Sequence, residues 1–440
     1  MSTSPSPLNI PSRDFEDDAS TGRSLYRKLT WRLAPFLGLC FFAAFLDRVN
    51  VGIAKLQMLD SLGLSEAVYG FGAGLFFVGY ILFEVPSNLI LEKVGARFWI
   101  ARIMVTWGVL SGLTMFVKTP GQFYLVRFLL GVAEAGFLPG ALLYLTYWFP
   151  DARRGRIVAL FMVGLPLSSL IGAPLSGWIL STFDGVHGLR GWQWLFALEA
   201  MPSVLLGVLV YIFLPKTHQG ARFLSAAELA RLKRDIGIDR EEKKAHRLAQ
   251  AFANPKVWVV GYLDLCVLLC FYSISFWMPT MLRDAGAKSA IEIGALMAIP
   301  NGLAVVMVLL TGISSDRFRE RRWHVAVPLL CSAFGLIASA FFPGSVPAIV
   351  ILLSAANAGA AAAMPVIWAL PSTFLRGTAA AAGIAFACSI ANLGGFASTY
   401  FLGWLKDRTH SVGAGVITFG ICLLLGCVLA LAMPKRVVNR

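Results

Sequence analysis

Twelve long, mainly apolar stretches recur along this 440-residue chain, and they constrain its fold more than any other feature. An α-helix of about 20 apolar residues is needed to cross a hydrocarbon core roughly 30 Å thick. Hydrophobic residues make up 57% of the sequence and charged residues 14%, which is too apolar for a soluble surface. We therefore predict an all-α membrane protein with twelve transmembrane helices in two pseudo-symmetric six-helix bundles. The predicted spans are residues 31–54, 66–91, 97–117, 122–149, 155–183, 192–214, 257–282, 291–315, 323–342, 346–374, 378–405 and 412–433.

The longest polar interruption falls between the sixth and seventh spans and divides the chain. It predicts a cytoplasmic tail over 1–30, a first bundle over 31–214, a cytoplasmic linker over 215–255, a second bundle over 256–433 and a tail over 434–440. Within the linker, Ser225 and Glu228 form a capping box, which predicts that a short helix begins there. We favour a solvated tether over a regulatory site for this segment.

The positions of Lys and Arg predict the orientation, because cytoplasmic loops of membrane proteins are enriched in them. Basic residues cluster before the first span and after the fourth and eighth, whereas residues 342–346 contain none. Both termini are therefore expected in the cytoplasm of a bacterial cell, with the chain in its inner (plasma) membrane. The net charge of +14 is explained by this topology, without nucleic-acid binding.

Two loop patterns repeat across the two halves and indicate an internal duplication. One pair places Glu92 and Asp316 224 positions apart, and the other places Arg154 and Arg376 222 positions apart. Charged residues occupy these turns: Glu92, Lys93, Arg97, Asp316 and Arg317.

Four charged residues lie deep within predicted spans, where each costs roughly 3 kcal/mol on insertion scales. Asp47 and Arg48 are in the first span; Arg127 and Glu134 are two helical turns apart in the fourth and share a face. We expect Asp47 to pair with Arg127 and Arg48 with Glu134. Fixed internal salt bridges are one interpretation, and a site for a proton and an anion is the one we favour, because a guanidinium binds a carboxylate through two hydrogen bonds.

The second half has few charges at depth but offers neutral polar and aromatic side chains. Tyr272, Trp368 and Asn392 are the candidate substrate contacts there. Among the remaining buried charges, Glu84, Arg102, Glu199 and Asp264 are interpreted as structural. Gly70, Gly72 and Gly74 lie within the second span without a preceding strand, which favours close helix packing over phosphate binding.

The sequence contains no ATP-binding GxxxxGK[ST] pattern and no GxSxG or HExxH pattern. The seven cysteines show no zinc-type spacing. We therefore expect neither an enzyme nor a cofactor or metal, and a proton gradient as the energy source.

The six-plus-six arrangement and the charged loop turns resemble the major facilitator superfamily over essentially the whole chain. This resemblance implies that the charged turns form a cytoplasmic gating motif that holds helix ends together, with Glu92, Lys93, Arg97, Asp316 and Arg317 as its members. Residues 45–50 (Phe-Leu-Asp-Arg-Val-Asn), the pair Arg127 and Glu134, and the stretches 368–371 and 392–395 further resemble the anion:cation symporter family. That resemblance implies alternating access and proton-coupled symport of a small organic anion, with the chain functioning as a monomer in the lipid bilayer.

The resemblance also implies roles for individual residues. It assigns proton coupling to Asp47 and Glu134, and substrate binding to their basic partners Arg48 and Arg127. It extends the substrate site to Tyr80 and Asn392. The fifth span lacks the glutamine of the sugar-acid branch, which points to the tartrate, phthalate and 4-hydroxyphenylacetate branch.

Two other functions remain open on the sequence. A proton-coupled exporter of amphiphilic compounds would share the fold and use the many aromatic residues, although two core arginines offer little to cations and neutral drugs. A membrane enzyme or a sensor that binds its ligand without moving it has only the absence of motifs in its favour.

Overall fold

The computed structural model describes residues 12–216, 220–221, 223–241, 254–318, 320–371 and 377–435, and the regular structure throughout these ranges is helical. We number the α-helices in chain order. They are α1 (Ser12–Leu62), α2 (Glu66–Val94), α3 (Ala96–Leu113), α4 (Pro120–Glu134), α5 (Phe137–Trp148), α6 (Asp151–Met162), α7 (Gly164–Thr182), α8 (Gly191–Phe213), α9 (Ala226–Glu241), α10 (Pro255–Asp284), α11 (Ala290–Phe318), α12 (Arg322–Ser339), α13 (Val346–Ala369), α14 (Gly377–Thr409) and α15 (Gly413–Ala432).

Eleven spans within the described residues are long and apolar enough to cross a membrane. The 33-residue α14 is the twelfth, and it packs between α2 and α10 inside the bundle. The predicted twelve-helix membrane fold is confirmed. Helices α1 to α8 form one half and α10 to α15 the other.

Two predicted spans are each broken into two helices. The fourth divides at Ala135 and Gly136 into α4 and α5, and the fifth divides at Val163 into α6 and α7. Gly136 has a φ of 86°, a left-handed conformation that glycine adopts without the Cβ strain of other residues. A side chain at this position would also collide with Ser87 Oγ. The predicted fourth span is confirmed as one membrane crossing, Pro120–Trp148, and it consists of two helices.

The linker helix α9 begins at the predicted capping box. Ser225 N donates to Glu228 Oε2 at 2.9 Å, and Glu228 N donates to Ser225 Oγ at 3.2 Å. The same Glu228 accepts from Lys28 Nζ of α1 at 2.7 Å, and Tyr26 Oη donates to Asp235 at 2.7 Å. Because α9 docks on the first half through these contacts, the expected solvated tether is wrong for this segment.

The two halves meet mainly along α2 with α14 and along α7 with α11. Glycines allow these helices to touch backbone to backbone, as a Cβ at Gly70 would overlap the Thr399 carbonyl oxygen. Gly72 faces the Phe123 ring of α4, and Gly74 faces Phe396. The predicted packing role of this glycine run is confirmed.

Charged residues join the halves at the end of the bundle where α1 ends and α2 begins, which we call the Glu66 end. Glu66 pairs with Lys55 of α1 at 2.5 Å and with Lys406 of α14 at 3.2 Å. Lys406 also pairs with Asp284 of α10 at 2.6 Å. Asp407 accepts from the first two backbone N–H groups of α2, at 3.0 and 2.8 Å. The protein is closed at this end by an ionic network across its two halves.

Candidate functional site

The break between α4 and α5 places Glu134 at the last position of a helix in the middle of the bundle. Ala135 N–H still donates to the Gly131 carbonyl, and the Ala135 carbonyl accepts from Ser87 Oγ at 2.7 Å. Part of the hydrogen-bonding capacity of the backbone at the break is therefore satisfied. A helix C-terminus carries a partial negative charge, which favours a nearby cation. That cation is Arg48.

Arg48 lies between the two halves and is only 7% exposed. Its Nη2 forms an ion pair and hydrogen bond with Glu134 Oε1, and its Nη1 donates to Tyr272 Oη of α10 at 3.0 Å. Three aromatic rings surround its Cζ atom: those of Phe45, Phe76 and Tyr80, at 4.7, 4.9 and 5.2 Å. The predicted pairing of Arg48 with Glu134 is confirmed.

Arg127 of α4 is fully buried and differs sharply from Arg48. None of its three guanidinium nitrogens has a hydrogen-bond partner among the described residues. Its Cζ lies 5.3 Å from the centre of the Phe76 ring, which Arg48 also contacts. Burying an unpaired cation is costly, so this guanidinium has unused capacity for an anion.

Asp47 does not pair with Arg127, and that prediction is wrong. Its carboxylate accepts from Trp107 Nε1 at 3.1 Å, from Ser111 Oγ at 2.8 Å and from Ser203 Oγ. Adjacent helical residues point about 100° apart, so Asp47 and Arg48 cannot both face α4. Arg48 occupies that face, and Asp47 is directed towards α3 and α8.

The other predicted substrate contacts are divided between two places. Tyr80 and Tyr272 join the Arg48 cluster. Trp368 instead donates through Nε1 to Asp264 at 3.2 Å, and Asn392 donates to the Cys388 carbonyl of its own helix at 3.0 Å. Asp264 of α10, which the sequence analysis interprets as structural, is thus held by a hydrogen bond from Trp368 of α13.

The predicted gating motif is only partly described. Glu92, Lys93 and Arg317 are exposed, and among the described residues none of them forms an ion pair. Arg97 lies with its Cζ 5.0 Å from the Tyr211 ring. The side chain of Asp316 lies outside the described part of the chain.

Two further charged groups are buried in the first half: Lys55, which sequence reasoning missed, and Glu199, which it interpreted as structural. Lys55 is fully buried, with its Nζ 3.5 Å from the centre of the Trp277 ring and 4.9 Å from that of Tyr69. Glu199 is 2% exposed and accepts from Ser176 Oγ at 2.6 Å. A charge within an otherwise apolar run was the available signal for both.

Two six-helix halves around a buried, charged centre define this chain as a membrane transporter. The sequence pattern of the Major Facilitator Superfamily matches residues 37–389. The chain belongs to that superfamily, whose members carry solutes across membranes and are not enzymes.

The chain is similar to three relatives in sequence and to one solved structure in fold. The metabolite transport protein designated NicT of Pseudomonas putida is 55% identical over 95% of this chain and 96% of its own length. A protein of Agrobacterium vitis named as a tartrate transporter is 45% identical, with 94% and 93% coverage. A protein of Acinetobacter baumannii named as a quinolone resistance transporter is 38% identical, with 94% and 95% coverage. The protein also superposes on a partially occluded inward-open structure of the Escherichia coli xylose transporter XylE with a TM-score of 0.72. The match covers 92% of this chain and 99% of that one at 15% sequence identity, and it shows that the fold is shared.

Proposed function

We propose that this protein imports a small organic anion, such as tartrate or an aromatic or dicarboxylic acid, together with protons by alternating access. The observation that carries the proposal is the fully buried guanidinium of Arg127, which has no hydrogen-bond partner among the described residues. A carboxylate would satisfy it through two parallel hydrogen bonds. An anionic substrate therefore supplies the hydrogen-bond acceptors that Arg127 lacks among the described residues.

The ion pair between Arg48 and Glu134 provides the coupling. When Glu134 is ionised, its carboxylate binds the Arg48 guanidinium. Arg48 and Arg127 both lie near the Phe76 ring. Protonation of Glu134 removes that charge and frees the Arg48 guanidinium to bind the substrate. Because the proton favours the anion, the anion favours the proton to the same degree, as linkage requires.

The surroundings of Arg48 favour a compact or planar anion. Phe45, Phe76, Tyr80 and Tyr272 enclose the guanidinium, and an aromatic ring or a short hydrocarbon would fit between such faces. The relative named as a tartrate transporter supports a small carboxylate. Trp368 and Asn392 stay candidates for the part of the substrate that reaches the second half.

The predicted orientation assigns the Glu66 end to one side of the membrane. With both termini in the cytoplasm of the inner membrane, the Glu66 end faces the periplasm. The ionic network of Lys55, Glu66, Lys406 and Asp284 then closes the periplasmic side. Substrate loading from outside requires this network to break.

The gating residues Glu92, Lys93, Arg97, Asp316 and Arg317 would close the opposite side. The proton gradient supplies the energy without a cofactor, and one chain contains both moving halves.

The second candidate is export of amphiphilic compounds driven by protons. The relative named as a quinolone resistance transporter favours it, as do the aromatic rings around Arg48. Deleting the gene would then sensitise cells to lipophilic compounds and leave growth on carboxylates unchanged. The two buried arginines make us prefer anion uptake.

The test is uptake by purified protein in liposomes. Labelled tartrate, phthalate and 4-hydroxyphenylacetate would be offered with and without an inward proton gradient, and with a proton ionophore as control. Accumulation of one compound that depends on the gradient is the expected result. Equal uptake with and without the gradient would overturn proton coupling, and no uptake by protein of normal thermal stability would favour export.

A further inference from the structure

A further buried cation, Lys55, lies on the Glu66 side of Arg48. The two residues are seven positions apart on α1, which is two helical turns, or about 10 Å, along one face. On α4, which runs in the opposite direction, Arg127 likewise lies two turns from Glu134 towards the Glu66 end. Arg48 and Glu134 form an ion pair. Equal offsets from that pair place Lys55 and Arg127 at a similar depth.

Tyr69 of α2 lies close to both of these cations. Its ring centre is 4.9 Å from Lys55 Nζ, and the residue is within electrostatic range of Arg127. The ring also stacks on Phe123 of α4, with their centroids 6.1 Å apart. Phe123 is one helical turn from Arg127. Lys55 and Arg127 therefore approach the same buried tyrosine from two different helices.

Neither cation has a carboxylate of its own. Arg127 has no hydrogen-bond partner among the described residues. In the same part of the chain, Lys55 has one ion pair, with Glu66, and that carboxylate is shared with Lys406. The Trp277 ring, 3.5 Å from Lys55 Nζ, offers a face and no oxygen acceptor. An ammonium group has three N–H donors, so Lys55 has capacity for another acceptor.

Glu66 is able to release Lys55 without losing its own pairing. Its Oε2 is 2.5 Å from Lys55 Nζ, whereas its Oε1 is 3.2 Å from Lys406 Nζ. A second carboxylate that replaced Glu66 beside Lys55 would leave Glu66 paired with Lys406. Because no buried charge is left without a partner, the penalty for breaking a buried ion pair is avoided.

We propose that Lys55 is a further substrate-binding residue, and that the substrate is a dicarboxylate with one carboxylate on Arg127 and the other on Lys55. A monocarboxylate would satisfy Arg127 and leave Lys55 with Glu66, so the second cation selects for a second negative charge. The rings of Tyr69 and Trp277 shield the ammonium from water, which strengthens its contact with a carboxylate. The inference rests on the proposed binding of a carboxylate at Arg127.

The first experiment tests the requirement for two charges with matched pairs of anions. Phthalate and benzoate differ by one carboxylate, and so do tartrate and glycerate. Calorimetry on the purified wild-type protein at one pH should show tighter binding of the dicarboxylate in at least one pair. The expected difference is roughly tenfold or more, the effect of one additional charge-assisted contact. No preference for the dicarboxylate in either pair would overturn the inference.

The second experiment assigns the second carboxylate to Lys55. Lys55→Met keeps an unbranched side chain between the two rings and removes the charge, so it should abolish most of the preference for the dicarboxylate. Lys55→Arg should retain the preference. Lys118→Met, the same change at an exposed lysine before α4, should match the wild type. An equal loss of affinity for both anions of a pair in Lys55→Met would show that Lys55 only helps to close the Glu66 end.

Glu66→Gln tests the same assignment with the lysine in place. Removing the carboxylate that competes for Lys55 should strengthen binding of the dicarboxylate relative to its monocarboxylate partner. A weaker preference in Glu66→Gln than in the wild type would contradict the proposed exchange of partners. This variant gives an answer even where Lys55→Met does not fold.

The outcomes separate this inference from the proposed function. Gradient-driven uptake of benzoate or 4-hydroxyphenylacetate, without a preference for dicarboxylates, would overturn the inference and leave anion symport standing. A preference that persists in Lys55→Met as it does in Lys118→Met would place the second carboxylate on another residue. Neither binding nor uptake of any of these anions by folded protein would overturn both proposals.

Discussion

Arg48 and Tyr272 are joined by a hydrogen bond of 3.0 Å and are 224 positions apart in the sequence. This is the same separation as that between Glu92 and Asp316 in the repeated loops. The two residues therefore occupy equivalent positions in the two halves, and they meet at the pseudo-symmetry axis. At this pair of positions, the first half contributes a charged residue and the second half a neutral one.

This asymmetry matters for how the site works. In the described part of the second half, the position equivalent to Glu134 falls close to Asn357, a buried amide that donates to Asn301 Oδ1 and to the Pro300 carbonyl. The first half thus contributes an ion pair at this level, while the second half contributes neutral hydrogen-bonding groups. In the proposed mechanism, Glu134 of the first half binds the proton, and the contact of Arg48 with Tyr272 transmits the change to the second half.

Replacing Glu134 by Gln should abolish proton-driven accumulation and spare exchange of substrate. The amide keeps the shape of the side chain but carries no charge for Arg48 and cannot bind and release a proton. We expect the accumulation rate to fall roughly 100-fold, the lower range for loss of a positioned acid or base. Accumulation and counterflow in the same liposomes are the measurements, with Glu292→Gln as an exposed control. Normal accumulation by Glu134→Gln would contradict the coupling role.

Replacing Arg127 by Gln should weaken anion binding while leaving thermal stability unchanged or higher. The guanidinium has no hydrogen-bond partner to lose among the described residues, so its removal relieves a buried charge. Loss of one charge-assisted contact with the anion costs about 1.5–3 kcal/mol, or roughly 10- to 150-fold in Kd. Calorimetry and thermal unfolding give the two quantities.

Arg48→Gln provides the contrast for that experiment. It removes the partner of a buried carboxylate, so both binding and thermal stability should fall. If Arg127→Gln instead unfolded at a much lower temperature with unchanged affinity, Arg127 would be structural and the anion site would lie elsewhere.

The sequence predicted the charged centre because charges are rare and expensive in apolar helices. Spacing alone placed Arg127 and Glu134 on one face, and the pairing of Glu134 with Arg48 followed from it. The direction of Asp47 could not be predicted, because its partners Ser111 and Ser203 are neutral residues on separate helices. Such residues have no periodic signal that distinguishes a ligand from packing.

The helix break beside Glu134 had a signal that the hydropathy pattern concealed. Gly136 followed by Pro139 matches the end of one helix and the start of another, because glycine commonly follows a helix end and proline fits best in a first turn. The surrounding residues are so apolar that the stretch resembles one continuous span. The network at the Glu66 end was concealed for the opposite reason, because charges such as Lys406 are ordinary near helix ends.

Replacing Lys406 by Ala should favour opening of the Glu66 end. The change removes the group that joins Glu66 of one half to Asp284 of the other, so the closed arrangement loses its ionic bridge. Of the two pairs, the one with Glu66 crosses between the halves. A partly exposed ion pair contributes about 0.2–1 kcal/mol, which predicts a shift of roughly 1.4- to fivefold in the open population. Distances between spin labels on Ser61 and Lys288 would report it. Arg408→Ala, an exposed change on the same helix, should leave the distances unchanged. Equal distances in both variants would show that Lys406 does not hold the Glu66 end closed.

Glu228 predicts a pH-dependent attachment of α9 to α1. Partial burial raises the pKa of Glu228, but hydrogen bonds from Ser225 and Lys28 outweigh it and hold the pKa below its ordinary value of 4.5. A lowered pKa in the folded state means that the stabilisation is complete above the unfolded value and is lost as pH falls through the folded one. As the pH falls below 4.5, backbone amides of α9 should therefore exchange hydrogen faster than expected from intrinsic chemistry. Glu228→Gln should exchange rapidly at every pH, whereas Lys233→Gln, at an exposed position of α9, should behave as the wild type does. Equal protection of α9 in Glu228→Gln and the wild type at neutral pH would show that apolar packing, and not this carboxylate, holds the helix.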